Sequence, residues 1–190
     1  MQACKYGHED CVRTLLNNGA TVDLADSNGV TALMAACHNG HIACTRMLLD
    51  MGANVDVARN DSATALMIAC KYGHDDCVRT LLDKGAAVDV MDRVGITALM
   101  IACDYGHVAC VYALLEKGAK VDVADSDGVT ALMWACKRGH AACVQALLDN
   151  GANVDVVMSR GWTALLYAHA NGHELCTLAL LNNACELLFT

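Results

Sequence analysis

Cys70, His74 and Cys77 stand close together in the chain, and two thiols with an imidazole at that spacing are a donor set that zinc accepts. A structural zinc site needs four such ligands converging tetrahedrally, and this segment offers three. A thiol beside an imidazole is also the pair from which a nucleophilic cysteine is built. The same spacing returns from Cys37 to Cys143, at Cys37-His41-Cys44, Cys103-His107-Cys110 and Cys136-His140-Cys143. A catalytic pair is needed once, so a constellation repeated at a fixed interval speaks for architecture before it speaks for chemistry.

The interval is 33 residues. Cys4, Cys37, Cys70, Cys103 and Cys136 form one series; Cys11, Cys44, Cys77, Cys110, Cys143 and Cys176 form a second, and Cys185 falls outside both. Each sits in an apolar helical pattern, such as Leu66-Met67-Ile68-Ala69-Cys70, where a free thiol acts as a small hydrophobe. The expectation is reduced, buried packing residues in a reducing, intracellular and cytoplasmic setting; a thiol-rich metal or redox protein is the rival. His8, His41, His74, His107, His140 and His173 each follow a glycine and read as turn residues whose imidazoles bond to nearby backbone. No phosphate-binding Gly-rich loop, HExxH or GxSxG occurs. The sequence makes no case for an enzyme, a cofactor or a metal.

Thr64 to Ala86, TALMIACKYGHDDCVRTLLDKGA, shows the elements that carry these residues. The Thr64 hydroxyl can accept from the free N–H groups of a first helical turn, and Gly73 can close that helix in the left-handed conformation. A second helix follows His74. Asp75 and Asp76 favour its N-terminal dipole, Cys77, Val78, Leu81 and Leu82 make one apolar face, and Gly85 stops it. Ala86 to Ile96 then read as a short hairpin or extended turn, with Gly95 free to take a positive φ. Two helices this short are marginal alone, so stability must come from stacking neighbours along a line. The repeats are expected at 26–58, 59–91, 92–124, 125–157 and 158–190, the last degenerate, with 1–25 a partial copy.

Composition narrows the partners. A formal charge of -8 and 4% aromatic residues argue against a nucleic-acid backbone or stacked bases as the main ligand. No apolar run is long enough for a membrane span, and Met1 to His8 show no signal-peptide pattern.

The pattern D-x-x-G-x-T-A-L-M-x-A-C-x-x-G-H-x-x-C-V-x-x-L-L-x-x-G-A-x-V-D resembles the ankyrin repeat over essentially the whole chain. The resemblance implies an all-α repeat solenoid, helix-turn-helix units joined by short β-hairpin or turn fingers. Departures are visible. Ala65, Ala98 and Ala131 stand where the family usually has proline, and Met67, Met100 and Met133 where it usually has histidine. Asp23, Asp56, Asp89, Asp122 and Asp155 occupy the hairpin position where many such repeats carry asparagine, so hydroxylation of that asparagine is not available. Arg59 and Ser62 replace the leading aspartate and turn glycine of one finger, which should be less regular than the others. Leu15 and Leu16 should lie on an exposed apolar edge, which suggests a fragment of a longer chain. The tail Glu186 to Thr190 is apolar and leaves the other end ambiguous.

The resemblance further implies a non-enzymatic, monomeric interaction module or scaffold that binds a protein through a concave surface of finger tips and first-helix ends, with neither nucleic acid nor membrane as partner. The alternative is the targeting portion of a larger enzyme such as a ligase or transferase. The positions that vary there are the candidate contacts: Tyr72, Tyr105, Lys71, Asp104, Lys137 and Arg138 on the helices, and Asp61, Arg93, Ile96, Asp127, Arg160 and Trp162 on the fingers. Trp134 shares its register position with Ile68 and Ile101 and is expected in the inter-repeat core.

Overall fold

Each Thr-Ala-Leu segment opens a helix because its threonine caps it. In the computed structural model, which describes residues 1–187, Met34, Met67, Met100, Met133 and Leu166 donate their backbone N–H to Thr31, Thr64, Thr97, Thr130 and Thr163 at 3.3–3.4 Å. A cap of this type contributes about 1 kcal/mol. The helices so opened are α3 (Ala32–His38), α5 (Ala65–Tyr72), α7 (Ala98–Tyr105), α9 (Ala131–Arg138) and α11 (Ala164–Ala170), preceded by the single turn α1 (Gln2–Lys5). Each is followed across a glycine by a second helix: α2 (Glu9–Asn17), α4 (Ile42–Asp50), α6 (Asp75–Asp83), α8 (Val108–Glu116), α10 (Ala141–Asp149) and α12 (Glu174–Leu187).

First helices pack on first helices and second on second, in chain order, and each also packs on its own partner. The result is two helical layers enclosing one continuous core. Small residues set the spacing: Ala36, Ala69, Ala102, Ala135 and Ala168 are wholly buried, which lets neighbouring backbones approach. Leucines and methionines such as Leu66, Met67, Leu99 and Met100 fill the space between repeats. Among the described residues no β-strand forms; the fingers are turns, with isolated antiparallel bridges at Ala58–Thr64 and Ala124–Thr130. No helix among the described residues is long and apolar enough to cross a membrane.

The fingers are held by their aspartates. Asp26, Asp92 and Asp125 each accept two backbone N–H bonds within their own turn at 2.9–3.0 Å. The finger with Arg59 and Ser62 was expected to be less regular than the others; it keeps the common turn, with one carboxylate–backbone bond where the others have two. Ser62 takes the positive φ of 68° that glycine has elsewhere, and Asp61 replaces the missing carboxylate by accepting from the Ala63 N–H and the Arg59 guanidinium. The turn bonds from Arg59 N–H to Ala63 and from Ser62 N–H to Arg59 match those of the other fingers.

At the first copy Leu15 is half exposed, as expected of an edge, while Leu16 is only partly so. The apolar tail from Leu188 to Thr190 and the side chains from Ala184 onward, Cys185 among them, lie outside the described residues.

Candidate partner-binding surface

The repeated cysteines and histidines do not converge within a repeat. Cys77 shares the Thr45 hydroxyl with Cys37 of the preceding repeat, at 3.7 and 3.8 Å. Cys70 instead lies buried near Cys110 of the following one, which helps to raise its thiol. His74 reaches the carbonyl of His38 at 3.1 Å through Nε2. The three side chains of the tempting motif are thus turned to three different neighbours. The same imidazole bond joins His41 to Lys5, His107 to Lys71, His140 to Asp104 and His173 to Lys137. The histidines do bond to backbone, but to that of the preceding repeat rather than of their own turn.

Burial raises the Cys70 and Cys103 thiols well above the ordinary range and pushes Cys136 up to about 12, with Cys176 beside it adding to the shift. A thiol in that state is a poor nucleophile. Cys11 departs from the expectation of burial: it is exposed, whereas Cys44, at the same register position, is buried. Iodoacetamide at neutral pH should therefore alkylate Cys11 in the native protein. Cys70, Cys103 and Cys136 should react roughly a hundredfold or more slowly until denaturant is added. Peptide-resolved mass spectrometry checks this, and equal labelling rates would return the thiols to consideration as reactive groups.

Fingers and first-helix ends face a common recess. At one end it forms a cavity of ≈ 340 Å³ bordered by Lys5, Asp26, His38 and Arg59; at the other, one of ≈ 360 Å³ bordered by Asp127, Trp134, Lys137, Arg160, Trp162 and Tyr167. Tyr72 and Tyr105 are nearly half exposed between them, and Lys71 Nζ lies over both rings at 5.9 and 5.8 Å. The His38 ring packs on Tyr72 with centroids 4.2 Å apart. Lys137 Nζ sits 4.7 Å from the Trp134 ring centre and 5.9 Å from that of Tyr167. Arg138 is bound to Asp104 at 2.6 Å, which holds the arginine's charge more firmly. Asp61 is held down to about 2 by the Arg59 guanidinium. Arg93, Asp127 and Arg160 are exposed on their fingers. Ile96 is half buried against the core and is the least available of the expected contacts.

The recess also gathers residues that sequence reasoning did not place there. Trp134 packs partly on the core as expected, yet its indole borders the recess, and its Nε1–H is buried with no acceptor among the described residues. Tyr167 was missed altogether; its hydroxyl donates to Met158 Sδ at 3.0 Å and its ring lies 5.0 Å from Trp162. The signal was available in register, since Ile68, Ile101, Trp134 and Tyr167 occupy one position of successive repeats and become aromatic towards the C-terminal end. Trp162, expected to stand free at a finger tip, is 39% exposed and leans on Tyr167. Part of its indole is therefore structural.

Charge divides between the two sides of the stack. Seven of the thirteen Lys and Arg lie at finger tips and first-helix ends (Lys5, Arg59, Lys71, Arg93, Lys137, Arg138, Arg160), with six of the twenty-one acids, Asp26, Asp61, Asp92, Asp104, Asp125 and Asp127; the five hairpin aspartates Asp23, Asp56, Asp89, Asp122 and Asp155 lie further back along the fingers. The finger tips and first-helix ends by themselves are thus close to neutral, within a chain of formal charge -8. The second-helix side ties up several of its own cations in bridges between repeats, Lys84 to Asp50, Lys117 to Asp83 and Arg79 to Glu116 at 2.7–3.0 Å.

A family whose description reads ankyrin repeats (3 copies) matches residues 1–61, 54–125 and 99–189. A comparison with curated proteins returns no match.

Proposed function

Because the chain belongs to the ankyrin repeat family, whose repeats are protein-interaction modules, we propose that it works as a non-enzymatic scaffold binding a protein through its finger-side recess. The observation that carries this reading is the division of labour between repeated and varying side chains. Threonines, histidines, cysteines and most finger aspartates are spent on caps, inter-repeat bonds and core. Tyr72, Tyr105, Trp162 and seven of the thirteen cations are left over on the finger and first-helix side, while Tyr112 stands exposed on the second helix α8. Aromatic and arginine side chains are the usual anchors of an interface, and a rigid stack presents them with little conformational entropy to lose.

Tyr72→Ala combined with Tyr105→Ala tests the reading. Both rings are nearly half exposed, so the melting temperature should fall little, while the affinity for a natural partner should drop by about tenfold or more. Quantitative mass spectrometry of proteins retained on wild-type and variant baits reads this out, with Lys84→Ala and Lys117→Ala as a control on the opposite side. If only the melting temperature falls, the tyrosines are packing residues and the recess is not the interface.

A further inference from the structure

The recess contains carboxylates, and most of them already have work. Asp26, Asp92 and Asp125 accept the backbone N–H groups of their own finger turns. Asp61 is paired with Arg59, and Asp104 with Arg138. Asp127 is the exception, its carboxylate taking part in no bond among the described residues while its backbone carbonyl receives Ser159. On the cationic side the balance is reversed. Lys5, Lys71, Arg93, Lys137 and Arg160 form no ion pair among the described residues. Lys5, Lys71 and Lys137 rest on aromatic faces at 4.7–5.9 Å, an interaction that orients an ammonium without neutralising it.

These three lysines are not scattered. They occupy one register position at 66-residue intervals, in every second repeat, and the position between Lys71 and Lys137 is taken by Asp104, itself bound to Arg138. We propose that the recess binds an extended acidic segment of a protein partner, whose carboxylates pair with Lys5, Lys71 and Lys137. The inference rests on the protein-binding reading above and names its partner chemistry. The pairing pattern is what separates available charge from spent charge.

Geometry sets the spacing of the ligand. Packed helices lie about 8–10 Å apart, so cations two repeats apart are separated by roughly 20 Å. An extended chain advances about 3.3 Å per residue, so the matching carboxylates fall about six residues apart. A peptide backbone suits the site better than a polynucleotide, because a continuous run of phosphates would meet the acidic remainder of the chain and would need a denser row of cations.

The test is a titration of the isotope-labelled protein at low ionic strength with an 18-residue Glu-Gly-Ser repeat peptide, which places a glutamate at every third and hence every sixth position. The Gln-Gly-Ser and Lys-Gly-Ser peptides and a 12-nucleotide oligothymidylate serve as comparisons. Amide shifts should move at Lys71, Tyr72, Tyr105, Lys137 and the facing fingers, and the affinity should fall as salt is added. Lys71→Glu with Lys137→Glu should weaken binding by about tenfold or more, whereas Lys84→Glu with Lys117→Glu should not, each variant keeping its melting temperature. Absence of binding by the glutamate peptide at low salt, equal loss from the two pairs of variants, or equal or stronger binding of the oligonucleotide would overturn the proposal. Equal binding of the glutamine peptide at the same residues would also overturn it, while leaving the recess standing as a protein interface.

Discussion

Gly106→Ala is expected to destabilise the folded chain by about 2–3 kcal/mol, an unusually large loss for the addition of one methyl group. Two costs combine. Gly106 has φ 75°, and an L-residue held in the left-handed region costs roughly 1–2 kcal/mol. A Cβ there would also meet His140 Nδ1 at 2.5 Å and Cε1 at 2.6 Å. The ring would have to swing away and give up its bond to the Asp104 carbonyl at 3.2 Å, about 1 kcal/mol more. Gly118 separates the two terms, because its φ is 81° but nothing lies within 4 Å of its added Cβ. Gly118→Ala should therefore cost only the backbone part, about 1–2 kcal/mol. In a His140→Ala background the cost of Gly106→Ala should shrink to that of Gly118→Ala, giving a coupling energy measurable by urea denaturation of the four chains. Equal costs for the two glycines would mean that the imidazole is not a rigid part of the repeat junction.

That junction shows how far the sequence could be read. The 33-residue period, the capping threonine and the glycine after the first helix are local signals, and they placed both helices of each repeat. The partner of a side chain in the next repeat leaves no local signal. His74 was legible as a turn residue bonding to backbone, but the carbonyl it reaches belongs to His38, 36 positions earlier. Asp56 reads as a hairpin residue, yet its carboxylate accepts the N–H of Ala87 in the following repeat. The common turn of the finger at Arg59 was missed for a related reason. The carboxylate had moved to Asp61, so the motif was broken while the turn bonds and one of the two carboxylate–backbone bonds were retained.

The same distinction governs the candidate surface. Tyr72, Lys71 and Lys137 stand out in sequence because they vary within a constant frame. Whether a charge is available depends on which carboxylate lies opposite, and Asp104 bonding Arg138 across repeats is not visible along the chain. Tyr167 was overlooked because aromatic residues in an apolar helix usually read as core.

Leu99→Ala is expected to cost about 2–5 kcal/mol, the range for a leucine removed from a core that cannot collapse around the void. Leu99 is 2% exposed on α7, the first helix of a central repeat, which packs against both α5 and α9. Leu165 occupies the same register position on α11 and is 36% exposed, so Leu165→Ala should cost under about 1 kcal/mol. The two variants delete the same atoms and differ only in what covers them. Their effects should differ in kind as well as in size. Stability in a linear stack is close to a sum of repeat terms and nearest-neighbour interface terms. A void at a central interface weakens the coupling through which the two halves unfold together, so Leu99→Ala should broaden the urea transition and lower its apparent slope. Leu165→Ala should leave the slope unchanged. If Leu99→Ala instead shifts the midpoint with an unaltered slope, the interfaces retain enough coupling for the stack to unfold as one unit, and its stability does not reside in any single junction.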